Sequence, residues 1–325
     1  MRRYSIFGAL AQLVEQWPFK PFVTGSNPVR PSVLTTCFYL FIIFFSSTAT
    51  SSTTNIIIKS EDSIELVGDM YKAEQNDSVF LIVHGARSHK GMEIIQSLAS
   101  RLYEEGHNVL IINLSYGIDK REDRFLDCDM QHNHNEHQSV KEIVKWYEYL
   151  EKGGYKKIDF IGHSRGAYNV VQALSIINNK KINSYLLAPT IDTYLGTKEY
   201  YESELNIPYE EIIKGSDNYY IKDRYGLINF LFCENVNVSA KTFRSYLDFS
   251  NNKEFYPFTF NIIDLLNVSE SSSIIFSGTE DEILEDTYKK YNLISNPNIR
   301  KVTIDGAGHF FRDLYLDEVL DLILE

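Results

Sequence analysis

One serine in this chain stands between two glycines, in the run Gly162-His163-Ser164-Arg165-Gly166. The residues before it, 157–161, are β-rich, and a helix-like segment follows from Ala167. A serine at such a strand-to-helix turn sits in a strained backbone with its Oγ projecting clear of a sheet. Glycines are needed where a Cβ would meet neighbouring backbone. The helix that follows points its N-terminal N–H groups at the same spot and favours a developing negative charge. The chemistry is nucleophilic attack by Ser164. A serine nucleophile also needs a base, a group to orient that base, and donors for an oxyanion. A five-residue pattern recurs by chance, so the weight falls on whether the chain supplies those partners.

The elements that would position them alternate. Ile56–Ile58 and Ile64–Tyr71 read as an opening hairpin. Ser78–His84 is a near-continuous apolar run, as in a strand buried on both faces. Met92–Tyr103 carries apolar residues at helical spacing and stops at Gly106. Asn108–Leu114 is the next buried strand, and Glu136–Glu151 is an amphipathic helix ended by Gly153 and Gly154. The serine strand and a helix over 165–177 follow, then a strand at Tyr185–Ala188. After an irregular stretch come strands at Ser273–Ser277 and Ile299–Ile304, then a C-terminal helix. Strands alternating with helices predict an α/β fold, with a mostly parallel sheet covered on both faces.

Three further patterns join the serine. A strand ends in His84-Gly85-Ala86, another is followed by Gly278-Thr279-Glu280-Asp281-Glu282, and the last by Gly306-Ala307-Gly308-His309. In this order the four patterns resemble the α/β-hydrolase superfamily, from about residue 56 to the C-terminus. The resemblance implies a triad of Ser164, Asp281 and His309. It also implies an oxyanion hole made of the backbone N–H groups of Ala86 and Arg165. Glu280 and Glu282 are neighbours that could be confused with the acid, and Asp286 is a poorer candidate. The order serine, acid, histidine is that of α/β-hydrolases and differs from the chymotrypsin and subtilisin orders. A serine at this turn argues against the aspartate-nucleophile chemistries of the superfamily. Residues 190–269, acidic and rich in Tyr and Phe, fall where the superfamily inserts a cap or lid. Tyr200, Tyr201, Tyr219 and Tyr220 could line an acyl pocket or simply pack the cap.

The N-terminal fifty residues do not read as part of this fold. Residues 9–32 resemble the translation of a tRNA gene, and 1–32 are expected to be a non-native or disordered extension. An apolar run over 37–45 followed by small residues suits a signal peptide over 33–52. It is too short to span a bilayer comfortably. The hydrolase domain is expected over 53–325. Export to the periplasm or medium is the expectation if the signal is real, and a cytoplasmic location otherwise. Loss of the leader removes Cys37 and leaves Cys128 and Cys233, which an oxidising compartment could join.

A net charge of −12 gives no basic stripe for nucleic acid. His132, His134 and His137 could suggest a metal, but no acidic or cysteine partner stands at convincing spacing. Polar loop histidines or substrate contacts are the simpler readings, and no metal or other cofactor is expected. The Arg165 side chain could meet a substrate anion. No P-loop or dinucleotide turn is present. The expected partner is a small-molecule ester or other acyl substrate, with no stable membrane span in the mature form. The alternative from another class is a catalytically inactive protein of the same fold that binds an apolar ligand.

Overall fold

In the computed structural model, residues 53–325 are described except for 74–76, 178, 192–193, 215–218, 248–261 and 285–286. The expectations for residues 1–52, leader and extension alike, lie outside the described residues, as does Asp286. Residues 53–325 form one compact unit.

Its centre is an eight-stranded sheet in the order β1-β2-β4-β3-β6-β7-β10-β11. The strands are β1 (Thr53–Lys59), β2 (Glu65–Tyr71), β3 (Ser78–Val83), β4 (Asn108–Ile112), β6 (Lys157–His163), β7 (Asn183–Leu187), β10 (Ser272–Gly278) and β11 (Ile299–Ile304). β1 and β2 are antiparallel and β2 meets β4 antiparallel; the pairs from β4 to β11 are parallel. Strand alternation explains why the central strands are apolar throughout. Val79, Leu81 and Val83 of β3 enter the core on one face, and Phe80 and Ile82 enter the core on the other.

Helices α1 (Glu93–Glu104), α2 (Glu136–Lys152) and α3 (Arg165–Ile177) cover the sheet. Ile95, Leu98 and Leu102 of α1 join one core face, together with Leu316, Val319 and Leu320 of the terminal helix. Ile143 and Trp146 of α2 and Val170 of α3 join the other. Asn135 caps α2 through its side chain, which accepts from the His137 N–H, so the helix starts where the histidine-rich segment ends.

Between β7 and β10 the chain makes an excursion. It contains helices α4 (Tyr194–Leu205), α5 (Tyr209–Ile213), α6 (Ile221–Tyr225), α7 (Ala240–Leu247) and α8 (Ile262–Val268). It also contains β8 (Ile228–Phe230) and β9 (Cys233–Val238), which form a second sheet with β5 (Gln131–His132) from the main body. Tyr201 lies inside the apolar cluster of this excursion, its ring 5.0 Å from Phe243, so it packs the excursion itself. Cys128 and Cys233 are joined by a disulfide that ties β9 to the segment before β5. Among the described residues, no helix is long and apolar enough to cross a membrane.

Candidate active site

Four adjacent strands, β4, β3, β6 and β7, are each followed within a few residues by a non-glycine residue at positive φ. These are Tyr116 (48°), Arg87 (57°), Ser164 (54°) and Ala188 (43°). Such conformations are uncommon outside glycine and cost free energy, so their clustering at one edge of the sheet marks a place that the rest of the fold over-determines. It is the carboxyl edge, where open α/β sheets build their sites.

Ser164 sits at the corner between β6 and α3 and is 5% exposed. Its N–H donates to the Leu187 carbonyl (2.8 Å), and its carbonyl accepts from the N–H of Ala167 (3.0 Å). The glycines are obligatory on steric grounds. A Cβ on Gly162 would lie 2.5 Å from Ala167 Cα, and one on Gly166 would lie 2.2 Å from the His84 carbonyl oxygen. A Cβ on Gly85 would stand 3.1 Å from Ser164 Cβ, which places the His84–Arg87 turn directly against the serine.

His309 and Asp281 hang from the turns after β11 and β10. His309 Nδ1 lies 2.8 Å from Asp281 Oδ2, and both side chains are nearly buried. Asp281 Oδ1 accepts from the N–H groups of Ile283 (2.9 Å) and Leu284 (2.7 Å). Burial alone would push the Asp281 carboxyl up. The His309 hydrogen bond and charge, helped by those two amides, outweigh burial and hold it below its ordinary value. With Nδ1 donating to a carboxylate, a neutral His309 carries its lone pair on Nε2, as a base must. Glu282 has a different role: its Oε2 accepts from the His309 backbone N–H (3.0 Å). The Glu280 N–H donates to the Ala307 carbonyl (3.0 Å). Of the three acids in this run, Asp281 is the one at the imidazole. His163, beside the serine, bonds the His309 carbonyl through Nε2 (3.0 Å), and the two rings lie 4.9 Å apart. Burial, reinforced by His309, pushes the His163 imidazole down to about 3. It is therefore neutral at pH 7, and Nε2 holds its proton. The elbow and the His309 turn are thereby fastened to each other.

On the other side of Ser164, the fully buried His84 places Nδ1 2.9 Å from the Gly85 carbonyl, and its Nε2 accepts the Leu114 N–H (3.1 Å). Burial and the nearby Arg121 charge hold it neutral. Arg165 is the first residue of α3. Its guanidinium turns away to Glu136 (Nε to Oε1, 2.7 Å) and lies over the rings of Tyr168 (3.9 Å) and Tyr246 (5.1 Å). The Arg165 guanidinium is thus paired with a buried carboxylate and turned away from the site of a substrate anion. The histidine-rich segment is buried too. His134 Nε2 lies 3.0 Å from Tyr246 Oη, and the Glu136 N–H donates to Ser245 Oγ (3.0 Å), so the segment seats α7. Burial lowers His132 and His137 to about 4 and His134 to about 3. Among the described residues, no group of three or more His, Cys, Asp or Glu is arranged to hold a metal ion. Glu136 and Tyr116 carry no sequence signature; His163 and Glu282 lie inside the motif runs, which do not reveal their bonds to the His309 backbone.

An elbow serine under strain, an Asp-His pair on the following strands and this strand order occur together in one architecture. The fold is that of the α/β-hydrolases. The solved structures agree. Est1E from Butyrivibrio proteoclasticus is 18% identical with a TM-score of 0.57, covering 83% of this chain and 97% of its own. It is also known with ferulic acid bound. The Pyrococcus furiosus esterase Pf2001 is 16% identical with a TM-score of 0.54, covering 92% of this chain and 96% of its own. The α/β-hydrolase GrgF from Penicillium sp. sh18 is 15% identical with a TM-score of 0.55, covering 84% and 96%. No family model and no curated protein sequence matches the chain. At these identities the likeness is one of α/β-hydrolase fold.

Proposed function

We propose that the protein is a serine hydrolase that cleaves a carboxylic ester through an acyl-enzyme on Ser164. The observation that carries this reading is the bond from His309 Nδ1 to Asp281, beside a serine locked at positive φ. Ser164 Oγ attacks the ester carbonyl carbon as His309 Nε2 takes its proton, and the carbonyl π electrons move to oxygen. Asp281 holds the imidazole in the required tautomer and stabilises its charged form. The N–H groups of Ala86 and Arg165 receive the oxyanion. Collapse expels the alcohol, which takes the proton from His309. Water then adds to the acyl-enzyme with His309 again as base, releasing the acid and restoring Ser164.

The excursion between β7 and β10 acts as the cap. The Cys128–Cys233 disulfide supports a mature enzyme working in an oxidising compartment, in keeping with an exported protein. N-terminal sequencing of the mature protein tests this, and a form beginning at Met1 would overturn it.

A panel of p-nitrophenyl esters of rising chain length, feruloyl esters and the matching amides tests the reaction. Turnover of esters well above amides is expected. Activity on peptides alone would sink the esterase assignment while leaving Ser164 as nucleophile.

A further inference from the structure

We propose that Tyr116 is a positioning residue of the oxyanion turn, its phenol clamping the two peptides on either side of Ala86. The inference rests on the serine-hydrolase reading above. Tyr116 Oη accepts the Arg87 N–H (3.1 Å) and donates to the Gly85 carbonyl (3.4 Å). One hydroxyl therefore bridges the residue before Ala86 and the residue after it. The Gly85 carbonyl also meets His84 Nδ1 (2.9 Å) and the Ser88 N–H (3.3 Å). A trans peptide is planar, so the Gly85 C=O and the Ala86 N–H point in opposite directions within one rigid unit. Fixing the carbonyl fixes the donor. A rotated Gly85–Ala86 peptide would turn a carbonyl oxygen, not an N–H, towards the developing oxyanion.

Tyr116 is itself fixed at some cost. It is an aromatic residue at φ 48°, where such residues are outliers. Its ring is 6% exposed and lies under the Arg121 guanidinium, 5.0 Å from centroid to Cζ. Arg121 donates to the carbonyls of Leu114 (3.0 Å), Arg87 (3.2 Å), Ser88 and Arg124 (2.9 Å), binding the turn to the end of β4. The neighbouring Ser115 gives its N–H (2.8 Å) and hydroxyl to the buried Glu142. Burial pushes the Tyr116 phenol up to about 12, so it keeps its proton throughout the working range. The strained backbone, the stacked cation and the two bonds converge on one hydroxyl whose targets flank the oxyanion donor.

The test uses the full chain, p-nitrophenyl butyrate, and trifluoroacetophenone as a probe of the hole. The ketone adds reversibly to Ser164: the Oγ–C bond forms, the carbonyl π pair becomes an alkoxide, and the Oγ proton passes to His309. Losing a whole donor typically costs about 10²–10³ in rate. Tyr116→Phe keeps the donor and the His84 contact, so kcat should fall about 10-fold. Ketone affinity should fall by a similar factor, with KM within about twofold. A folded Tyr116→Phe with wild-type kcat or wild-type ketone affinity overturns the proposal, even if its melting temperature drops. A wild type that neither turns over ester nor binds ketone overturns the serine-hydrolase reading instead. Should Tyr116→Phe not fold, hydrogen exchange of the Arg87 amide in the wild type decides. Protection is expected, and exchange at the rate of an open loop overturns the clamp.

Discussion

On one side of Ser164, His309 and Asp281 sit on turns after two neighbouring parallel strands, and groups from those same turns hold them. The amides of Ile283 and Leu284 fix the Asp281 carboxylate, and Glu282, one residue on, fixes the His309 backbone. On the other side, the His84–Arg87 turn is held by side chains from distant parts of the chain. Tyr116 and Arg121 come from beyond β4, Leu126 exchanges hydrogen bonds with Arg87, and Glu142 of α2 holds Ser115. Asp281 and His309 are themselves 28 residues apart, so the acid–base side is local only in that its own two turns hold it, whereas the oxyanion side also draws on side chains from outside its turn. Local devices fail through loss of their own residues. A tertiary device can be loosened from several remote places at once.

The largest effects should fall on the local side. Ser164→Ala and His309→Ala should each lower kcat for ester hydrolysis by at least about 10⁴-fold, and Asp281→Asn by about 10³–10⁴. Glu282→Gln should cost less than about 10-fold, because it touches the His309 backbone and not the imidazole. Equal losses for Glu282→Gln and Asp281→Asn in steady-state kinetics would put the acid in the wrong place.

This difference also decides what could be read from sequence. The elbow, Asp281 and His309 are legible because each rests on glycines within a few residues, and the steric need for Gly162 and Gly166 is local. The strands are legible because alternate residues enter both cores. Tyr116 and Arg121 leave no such trace, since no glycine pattern marks them and their bonds to the His84–Arg87 turn are made to backbone atoms, brought close by the β3–β4 pairing. The same contact shortens a strand. The apolar pattern runs to Leu114, but β4 ends at Ile112, and the Leu114 N–H goes to His84. In sequence the Arg165 side chain reads as a possible anion contact because Glu136, its partner at the head of α2, carries no motif.

The joint between the two sides can be broken at Gly166, which lies against the His84 carbonyl. Gly166→Ala should destabilise the fold by more than about 4 kcal/mol in urea unfolding, because backbone and not a flexible side chain is in the way. The tertiary side can be loosened by removing the disulfide. Cys128→Ser with Cys233→Ser opens a loop spanning 105 residues and should cost about 4 kcal/mol. It also frees the segment in which Leu126 meets Arg87, so kcat should fall alongside the urea midpoint. A midpoint shift with unchanged kcat would mean that the oxyanion turn does not depend on that segment.

A smaller effect on stability is a pH dependence. Burial outweighs the Ser115 hydrogen bonds and pushes the Glu142 carboxyl up from 4.5 to about 7. Between these values the native state holds a proton that the unfolded state has lost, so this group's contribution makes stability fall as pH rises. Above pH 7 the native protein carries a buried carboxylate, at a cost on the order of 3 kcal/mol. Urea midpoints of wild type and Glu142→Gln should therefore draw apart from pH 5 to pH 8 in favour of the variant. Parallel curves would show that Glu142 ionises normally.

The central claim is that Ser164 is an activated nucleophile, and fluorophosphonate labelling of the wild type, Ser164→Ala and His309→Ala tests it most directly. The account predicts that the wild type labels at Ser164 and that both substitutions abolish labelling in folded protein. A folded wild type that does not label, or a His309→Ala variant that labels as fast as the wild type, would contradict it. Failure of the wild type to label would bring forward a ligand-binding protein on the same fold.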